Sequence, residues 1–120
     1  MVLDSKALLE TAVRAADDKR AEDIVALDMT EVSLLADYFL IASGGTTRQV
    51  QAIVDAVEEK VKAAGGPEPR IEGNKDSKWI LMDFGDVVVD IFTPEERAFY
   101  NLEKLWNEAP IVDLKDWVKA

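Results

Sequence analysis

The chain has 120 residues with 24 acidic and 14 basic side chains, and its formal net charge is -10. That length is enough for one domain with one core. It contains neither cysteine nor histidine, which excludes disulfides, thiolate zinc sites and any mechanism that needs an imidazole base.

The charge balance also bears on partners and location. Phosphate backbones bind proteins through Lys and Arg, so a chain this acidic is repelled by bare RNA or DNA and attracted by basic proteins. The sequence has no apolar run of about 18 residues, which a membrane-spanning helix requires. It also begins without a basic-then-apolar signal segment. We therefore expect a cytoplasmic protein that binds neither a membrane nor a specific nucleic-acid sequence.

A helix and a strand open the chain. Residues 5–18 carry an apolar stripe at helical spacing, and Asp4 or Ser5 can cap its start. Residues 24–27 form an apolar run of strand length. In the polar segment that follows, we expect the two leucines at residues 34–35 to anchor the loop to the core.

A strand-to-helix turn containing Gly44 and Gly45 comes next. Residues 38–42 predict the strand before it, and the helix after it has a buried stripe formed by Val50, Ile53, Val54, Val57 and Val61. Backbone N–H groups at such a turn could hold a phosphate. The glycine spacing matches no phosphate-binding motif, however, and a tight turn explains it equally well.

Three strands and a helix complete the predicted sheet. Residues 69–72 begin with a proline and predict an edge strand, and residues 79–82 and 87–92 predict a hairpin. A crossover helix joins the second strand to the later ones, so we expect at least one parallel pair. We predict an α/β fold: one compact domain over residues 1–120, with a mixed sheet covered by helices.

The last helix and the tail have their own signals. Thr93, Pro94 and Glu96 match a capping box with proline at the first helical position. We expect the helix to run to about Trp106. Residues 111–120 form a short tail that could dock as a further helix through Ile111, Val112, Leu114, Trp117 and Val118.

Three acids, Asp83, Asp86 and Asp90, surround the hairpin. Carboxylates are ligands that Mg²⁺ prefers, so a metal-dependent nucleotidyltransferase is one interpretation. Asp83 and Asp86 are also ordinary turn residues. Asp90 is unusual as a charge in an apolar strand, and it could pair with a base, lie near a strand end or face a partner.

Residues 79–106 are rich in aromatic side chains and in acids. Most of the rings are expected to be core, and Phe99, Leu102 and Trp106 fall on one helical stripe. Tyr100 lies off that stripe. The segment has six acids and two bases, a local net charge of -4. Aromatic side chains at a surface rim are common anchors of protein interfaces.

Several ordered blocks lie within residues 23–110 and read DYFLIASG, TTRQVQAI, IEG, WILMDFGDVVV and PEERAFYNLEKLW. Together these blocks resemble one known family, the ribosomal silencing factors, also called the Iojap-like family. The resemblance implies a fold related to nucleotidyltransferases without their catalytic activity, and no cofactor or metal. It also implies a translational repressor that binds the large ribosomal subunit through its ribosomal protein fourteen and sterically blocks joining of the small subunit.

The resemblance further implies which residues contact the partner. They are Trp79, Tyr100 and Leu102, with Asp83 and Asp86 from the same motif block. Homodimers occur in the family, so a homodimer is expected for the free protein. A homodimeric adaptor with another partner is a further interpretation.

This sequence departs from the family at one position. The second hairpin strand commonly reads VVVHIF in the family and reads VVVDIF here, so Asp90 replaces a histidine. The replacement removes any role that needs an imidazole and adds negative charge.

Overall fold

The computed structural model describes residues 3–119, which fold into a five-stranded sheet with helices on both faces. Its elements are α1 (Ser5–Asp18), β1 (Glu22–Asp28), β2 (Tyr38–Ser43), α2 (Thr47–Ala63), β3 (Arg70–Glu72), β4 (Trp79–Asp83), β5 (Val87–Phe92), α3 (Pro94–Tyr100) and α4 (Leu102–Leu105). Their order confirms the predicted α/β arrangement.

The sheet is mixed, with strand order β1-β2-β5-β4-β3. Strands β2 and β5 are parallel, and every other pair is antiparallel. The predicted parallel pair is thereby confirmed. Strand β3 lies at one edge, as its flanking prolines indicated.

Helices α1 and α2 cover one face of the sheet and form the larger core. Asp4 caps α1 by accepting a hydrogen bond from the Ala7 amide at 2.7 Å. All five residues of the stripe predicted for α2 are buried. Within residues 3–119, no helix combines the length and the hydropathy that crossing a membrane requires.

The second face carries a smaller core under α3, α4 and the segment after them. Its buried members are Leu27, Met29, Ile41, Phe92 and Ala109, and Phe39, Trp79, Leu102 and Trp106 pack against them. The rings of Phe39 and Trp106 meet edge to face at 5.8 Å. Since short helices cover this face, several residues that close the core also reach the surface.

The expected anchoring by Leu34 and Leu35 is wrong. Both leucines are exposed, at 104% and 84%. The loop closes through a hydrogen bond from the Met29 amide to the Asp37 carbonyl, and Met29 and Ala36 are buried in their place. The backbone closure directs the leucines outward.

The predicted single helix up to Trp106 is also wrong, because it breaks at Asn101. This residue adopts the left-handed conformation, with φ of 49°, and ends α3. Asparagine tolerates this conformation better than most residues. Thr93 occupies the N-cap position, but its hydroxyl makes no capping bond, so the predicted capping box does not form.

The tail docks through turns and not as a helix. Val112 donates its amide proton to the Ala26 carbonyl, and Leu114 is buried against the larger core. The Lys119 amide then donates to the Asp17 carboxylate at 2.9 Å. The final residue of the predicted tail lies outside the described residues.

The glycine turn before α2 has a steric explanation. A Cβ on Gly44 would lie 2.9 Å from the Val50 nitrogen and 3.2 Å from the Gln49 carbonyl carbon, both backbone atoms. A Cβ on Gly45 would meet only the Gln49 side-chain oxygen, at 3.5 Å. The Gly45 amide already donates to that oxygen, and Thr46 caps α2. The turn therefore requires a glycine at position 44, where the chain leaving β2 passes close to the backbone at the start of α2.

This geometry predicts different effects for two neighbouring substitutions. We expect Gly44→Ala to lower the free energy of unfolding by about 1–3 kcal/mol, because backbone must move to admit the methyl group. Gly45→Ala, the matched control, should change it by less than about 0.5 kcal/mol. Urea unfolding followed by circular dichroism measures both. Equal losses would contradict the steric explanation.

Candidate partner-binding surface

Trp79 lies in a stack of four aromatic rings. Its indole packs on Phe92 with ring centroids 4.9 Å apart and an interplanar angle of 20°. Tyr100 covers the indole at 4.7 Å, and Phe99 meets the Tyr100 ring edge to face at 5.1 Å. We call these four residues, Phe92, Trp79, Tyr100 and Phe99, the aromatic stack. It runs from the smaller core to the surface.

The outer end of the aromatic stack is exposed. Phe99 is 78% exposed and Tyr100 is 46% exposed, and Leu105 of α4 is 67% exposed. Burial of Phe99 on a common stripe with Leu102 and Trp106 was therefore a wrong expectation. The break at Asn101 separates Phe99 from that stripe. The helical pattern of the sequence did not reveal that Phe99 and Leu105 are surface residues. Asn101 is the residue that could have indicated it, because asparagine tolerates the left-handed conformation that ends a helix.

Leu102 has a different position from Tyr100. It is half-buried and packs against the smaller core, where Trp106 also lies. The left-handed residue between Tyr100 and Leu102 turns their side chains apart. Of the three predicted contact residues at this end, Tyr100 is the most accessible, while Trp79 and Leu102 are half-buried.

Asp90 is buried behind the aromatic stack, with 2% of its surface exposed. It accepts a hydrogen bond from the Trp79 indole Nε1 at 3.0 Å. Burial raises the pKa of Asp90 to about 6, and the indole hydrogen bond opposes that rise. A hydrogen bond from an indole is not among the roles that the sequence suggested for Asp90.

Asp83 and Asp86 lie at the opposite end of the hairpin from Trp79. Strand β4 separates Trp79 from Asp83 by four residues, about 13 Å at the usual rise of a strand. Asp83 accepts a hydrogen bond from the Gly85 amide within the turn, and Asp86 is exposed. The structure therefore separates the predicted contact residues into two groups.

The turn acids belong to a larger acidic end of the sheet. The Asp86 carbonyl accepts hydrogen bonds from the amides of Asp37 and Tyr38, which brings the loop before β2 against the turn. Burial raises the pKa of Tyr38, and the carboxylates of Asp28 and Asp37 raise it further. We call Asp28, Asp37, Asp83 and Asp86 the acidic end.

The three hairpin acids do not converge on a common point. Asp90 faces the Trp79 indole inside the sheet, Asp83 bonds within the turn, and Asp86 faces solvent. Across residues 3–119, no three acidic side chains are grouped as a metal site would require. The geometry thus gives the nucleotidyltransferase interpretation no support.

The buried carboxylate predicts a pH-dependent contribution to stability. The pKa of Asp90 is raised above its unfolded value of 3.8, so folding favours the protonated form, and this contribution is lost as the pH rises through about 6. We expect wild type to lose up to about 3 kcal/mol relative to Asp90→Asn between about pH 4 and pH 7. Chemical unfolding at several pH values measures this difference.

The matched control for that series is Asp76→Asn, which removes one negative charge from an exposed loop residue. Its stability relative to wild type should not follow the same pH course. A pH-independent difference between wild type and Asp90→Asn would contradict a raised pKa for Asp90.

Comparison with known proteins identifies the family. The family model described as "Ribosomal silencing factor during starvation" matches residues 2–120. A Bacillus subtilis protein named ribosomal silencing factor RsfS is 49% identical over 112 residues, covering 93% of this chain and 95% of that protein. A mouse protein named mitochondrial assembly of ribosomal large subunit protein 1 is 35% identical over 92 residues, covering 74% of this chain and 40% of that protein.

A solved structure agrees with these sequence relatives. A crystal structure of a Bacillus halodurans protein matches with a TM-score of 0.80 and 48% identity, covering 92% of this chain and 100% of that one. The chain therefore belongs to the ribosomal silencing factor family, whose members are regulators and not enzymes.

Proposed function

We propose that this protein represses translation by binding the large ribosomal subunit through its ribosomal protein fourteen and sterically blocking the small subunit. Membership of the ribosomal silencing factor family carries the proposal. The name of the mouse relative, which refers to the ribosomal large subunit, supports the choice of subunit. The site of action is then the compartment that holds the ribosomes, which for a bacterial family member is the cytoplasm.

The electrostatics favour a basic protein partner over ribosomal RNA. The net charge of -10 repels phosphate backbones, which proteins bind through Lys and Arg. The same charge attracts a basic protein and accelerates its encounter with the acidic end. The exposed rings of Phe99 and Tyr100, which lie toward the other end of the hairpin, supply the apolar contact area that interface anchors require.

The predicted contact residues divide into two roles in this proposal. Tyr100, together with the exposed Phe99, touches the partner directly. Trp79 and Leu102 support that surface from beneath, because they pack against the smaller core. Asp83 and Asp86 act from the acidic end, where they steer the approach of a basic partner.

The free protein is proposed to form a homodimer. Phe99 and Leu105 are exposed apolar side chains, and covering such residues stabilises association. If the dimer uses this surface, it competes with the ribosome for the same residues. Sedimentation velocity of the free protein and of Phe99→Ala would test this arrangement.

A subunit-joining assay tests the proposed function. Purified large and small subunits are mixed with the protein and separated on a density gradient. Wild type should lower the fraction of joined ribosomes, and Tyr100→Ala should weaken binding to the large subunit by about 30-fold, the effect of a hot-spot truncation of about 2 kcal/mol. Co-sedimentation with large subunits alone measures that affinity.

The matched control is Ile71→Ala on edge strand β3. Ile71 is also an exposed apolar residue, at 39%, but it lies away from the aromatic stack. Ile71→Ala should leave both binding to large subunits and inhibition of subunit joining unchanged. Normal subunit joining at saturating wild-type protein would overturn the proposed function, and equal losses in both variants would overturn the assignment of the surface.

The acidic end should act mainly on the rate of association. We expect the double substitution Asp83→Asn and Asp86→Asn to slow binding to large subunits by on the order of 3-fold at low salt, with dissociation nearly unchanged. Stopped-flow association at two salt concentrations measures the effect. Asparagine keeps the acceptor that the Gly85 amide uses, so the turn is preserved.

The control for charge alone is Glu58→Gln with Glu59→Gln. It removes the same number of negative charges from α2, which covers the face of the sheet that carries the larger core. It should slow association less. The same slowing by both double variants would mean that total charge matters and that the acidic end has no special role.

A further inference from the structure

Asp90 holds a carboxylate in a central strand that is covered on both faces. Across the sheet it lies between Ile41 of β2 and Leu81 of β4, two apolar residues. An ionised group in such surroundings is costly unless it is hydrogen-bonded. The hydrogen bond that the structure gives it comes from Trp79. Asp90 is thereby linked to a member of the aromatic stack.

That hydrogen bond restricts the Trp79 indole in a way that stacking does not. Trp79 is paired with Phe92, and Asp90 with Leu81, so Trp79 and Asp90 are diagonal neighbours on one face of the hairpin. Packing between Phe92 and Tyr100 fixes the plane of the indole, but it allows the ring to turn within that plane. The bond from Nε1 selects the one orientation that directs the N–H at the carboxylate.

The orientation of the indole affects the exposed surface through Tyr100. The Tyr100 ring lies against the indole, and Phe99 lies against the Tyr100 ring. Tyr100 is also the last residue of α3, directly before the left-handed Asn101, so the helix does not continue beyond it. Contact with Trp79 is thus a main restraint on where the Tyr100 ring lies.

We propose that Asp90 is a positioning residue, whose carboxylate orients the Trp79 indole and so holds Tyr100 and Phe99 in the arrangement that the ribosomal partner recognises. This inference rests on the proposed function, because it concerns the same surface. Hydrogen bonds to an ionised acceptor are stronger than those to a neutral one. The restraint is therefore tightest when Asp90 is ionised, and it weakens as Asp90 is protonated.

Other ionisable groups share the face of the sheet on which Asp90 lies. Strand alternation and register put Asp83, Arg70 and Glu72 of the neighbouring strands on this face. From the helices come Tyr100 and the ion pair between Arg97 and Glu103. Arg97 also donates to the Ser43 hydroxyl at 2.8 Å, so its donors are directed to partners other than Asp90.

A double-mutant cycle between positions 79 and 90 tests the inference. The variants are Asp90→Val, Trp79→Phe and the combination, each measured for binding to purified large subunits. Valine suits the apolar strand but accepts no hydrogen bond, so Asp90→Val should weaken binding by about 10-fold. In the Trp79→Phe background, which lacks the donor, the same substitution should weaken binding by less than about 2-fold.

Two further variants separate positioning from stability. Asp90→Asn keeps an acceptor oxygen and should recover most of the affinity that Asp90→Val loses. Val57→Ala truncates the larger core on the opposite face of the sheet, so it destabilises the fold without touching the aromatic stack. It should bind large subunits like wild type. If Val57→Ala weakens binding as Asp90→Val does, stability alone explains the effect and the inference fails.

The indole N–H signals give a readout that is independent of the ribosome. The chain has three tryptophans, so isotope-labelled protein should show three such signals. One of them should shift with a midpoint near the Asp90 pKa of about 6, and this shift should vanish in Asp90→Asn. Absence of a titrating signal in wild type would refute the restraint itself.

The possible failures are distinguishable. If wild type does not bind large subunits, the proposed function is wrong and the positioning role falls with it. If wild type binds and Asp90→Val binds equally well, the positioning role alone is wrong. Equal losses from Asp90→Val in both backgrounds would show that Asp90 acts without Trp79, which also overturns the inference.

Discussion

The burial of β5 on both faces is the constraint on which the rest of the structure depends. Its side chains alternate between two cores, with Val89 and Ile91 under α1 and α2 and Phe92 in the smaller core. Two long helices cover the first face fully. The second face is closed by short helices and by Trp79, so a thin layer of side chains separates its interior from solvent.

A thin second layer makes stability and recognition depend on the same residues. Tyr100 covers the Trp79 indole on one side and meets solvent on the other. A substitution in the aromatic stack therefore changes both the cover of the smaller core and the shape of the surface. Measurements of binding need a measurement of stability beside them, since hot-spot truncations also alter the free protein.

The periodic elements of the fold followed from the sequence, because their signals are local. The stripes of α1 and α2 lie at helical spacing, and the hairpin strands are bounded by turn residues. Other features depend on contacts that no local pattern encodes. Leu34 and Leu35 face outward because Met29 and Ala36 close the loop. The helix beyond Tyr100 breaks at the left-handed Asn101, and Leu102 then packs against the smaller core, a contact that helical spacing in the sequence does not reveal.

In the candidate surface, too, some features follow from signals in the sequence and others depend on tertiary contacts. Family blocks indicated Trp79 and Tyr100, and the structure shows them in contact. The bond between Trp79 and Asp90 joins diagonal neighbours, so it depends on the register of β4 and β5 and could not be inferred before that register was known. Phe99 shares a helical stripe with Leu102 and Trp106 only in a continuous helix, and it is exposed because the helix breaks at Asn101.

Both margins of the sheet are protected against pairing with another chain. Along β1, the Asp28 amide donates to the Pro110 carbonyl and the Ala26 carbonyl accepts from Val112, so the tail occupies hydrogen-bonding groups that an intruding strand would need. Strand β3 at the other margin has three residues, two of them charged, and follows Pro69. Such margins resist the edge-to-edge aggregation of β-sheets. A binding partner is therefore expected to contact side chains and not to add a strand to the sheet, because the tail covers β1 and β3 is short and charged.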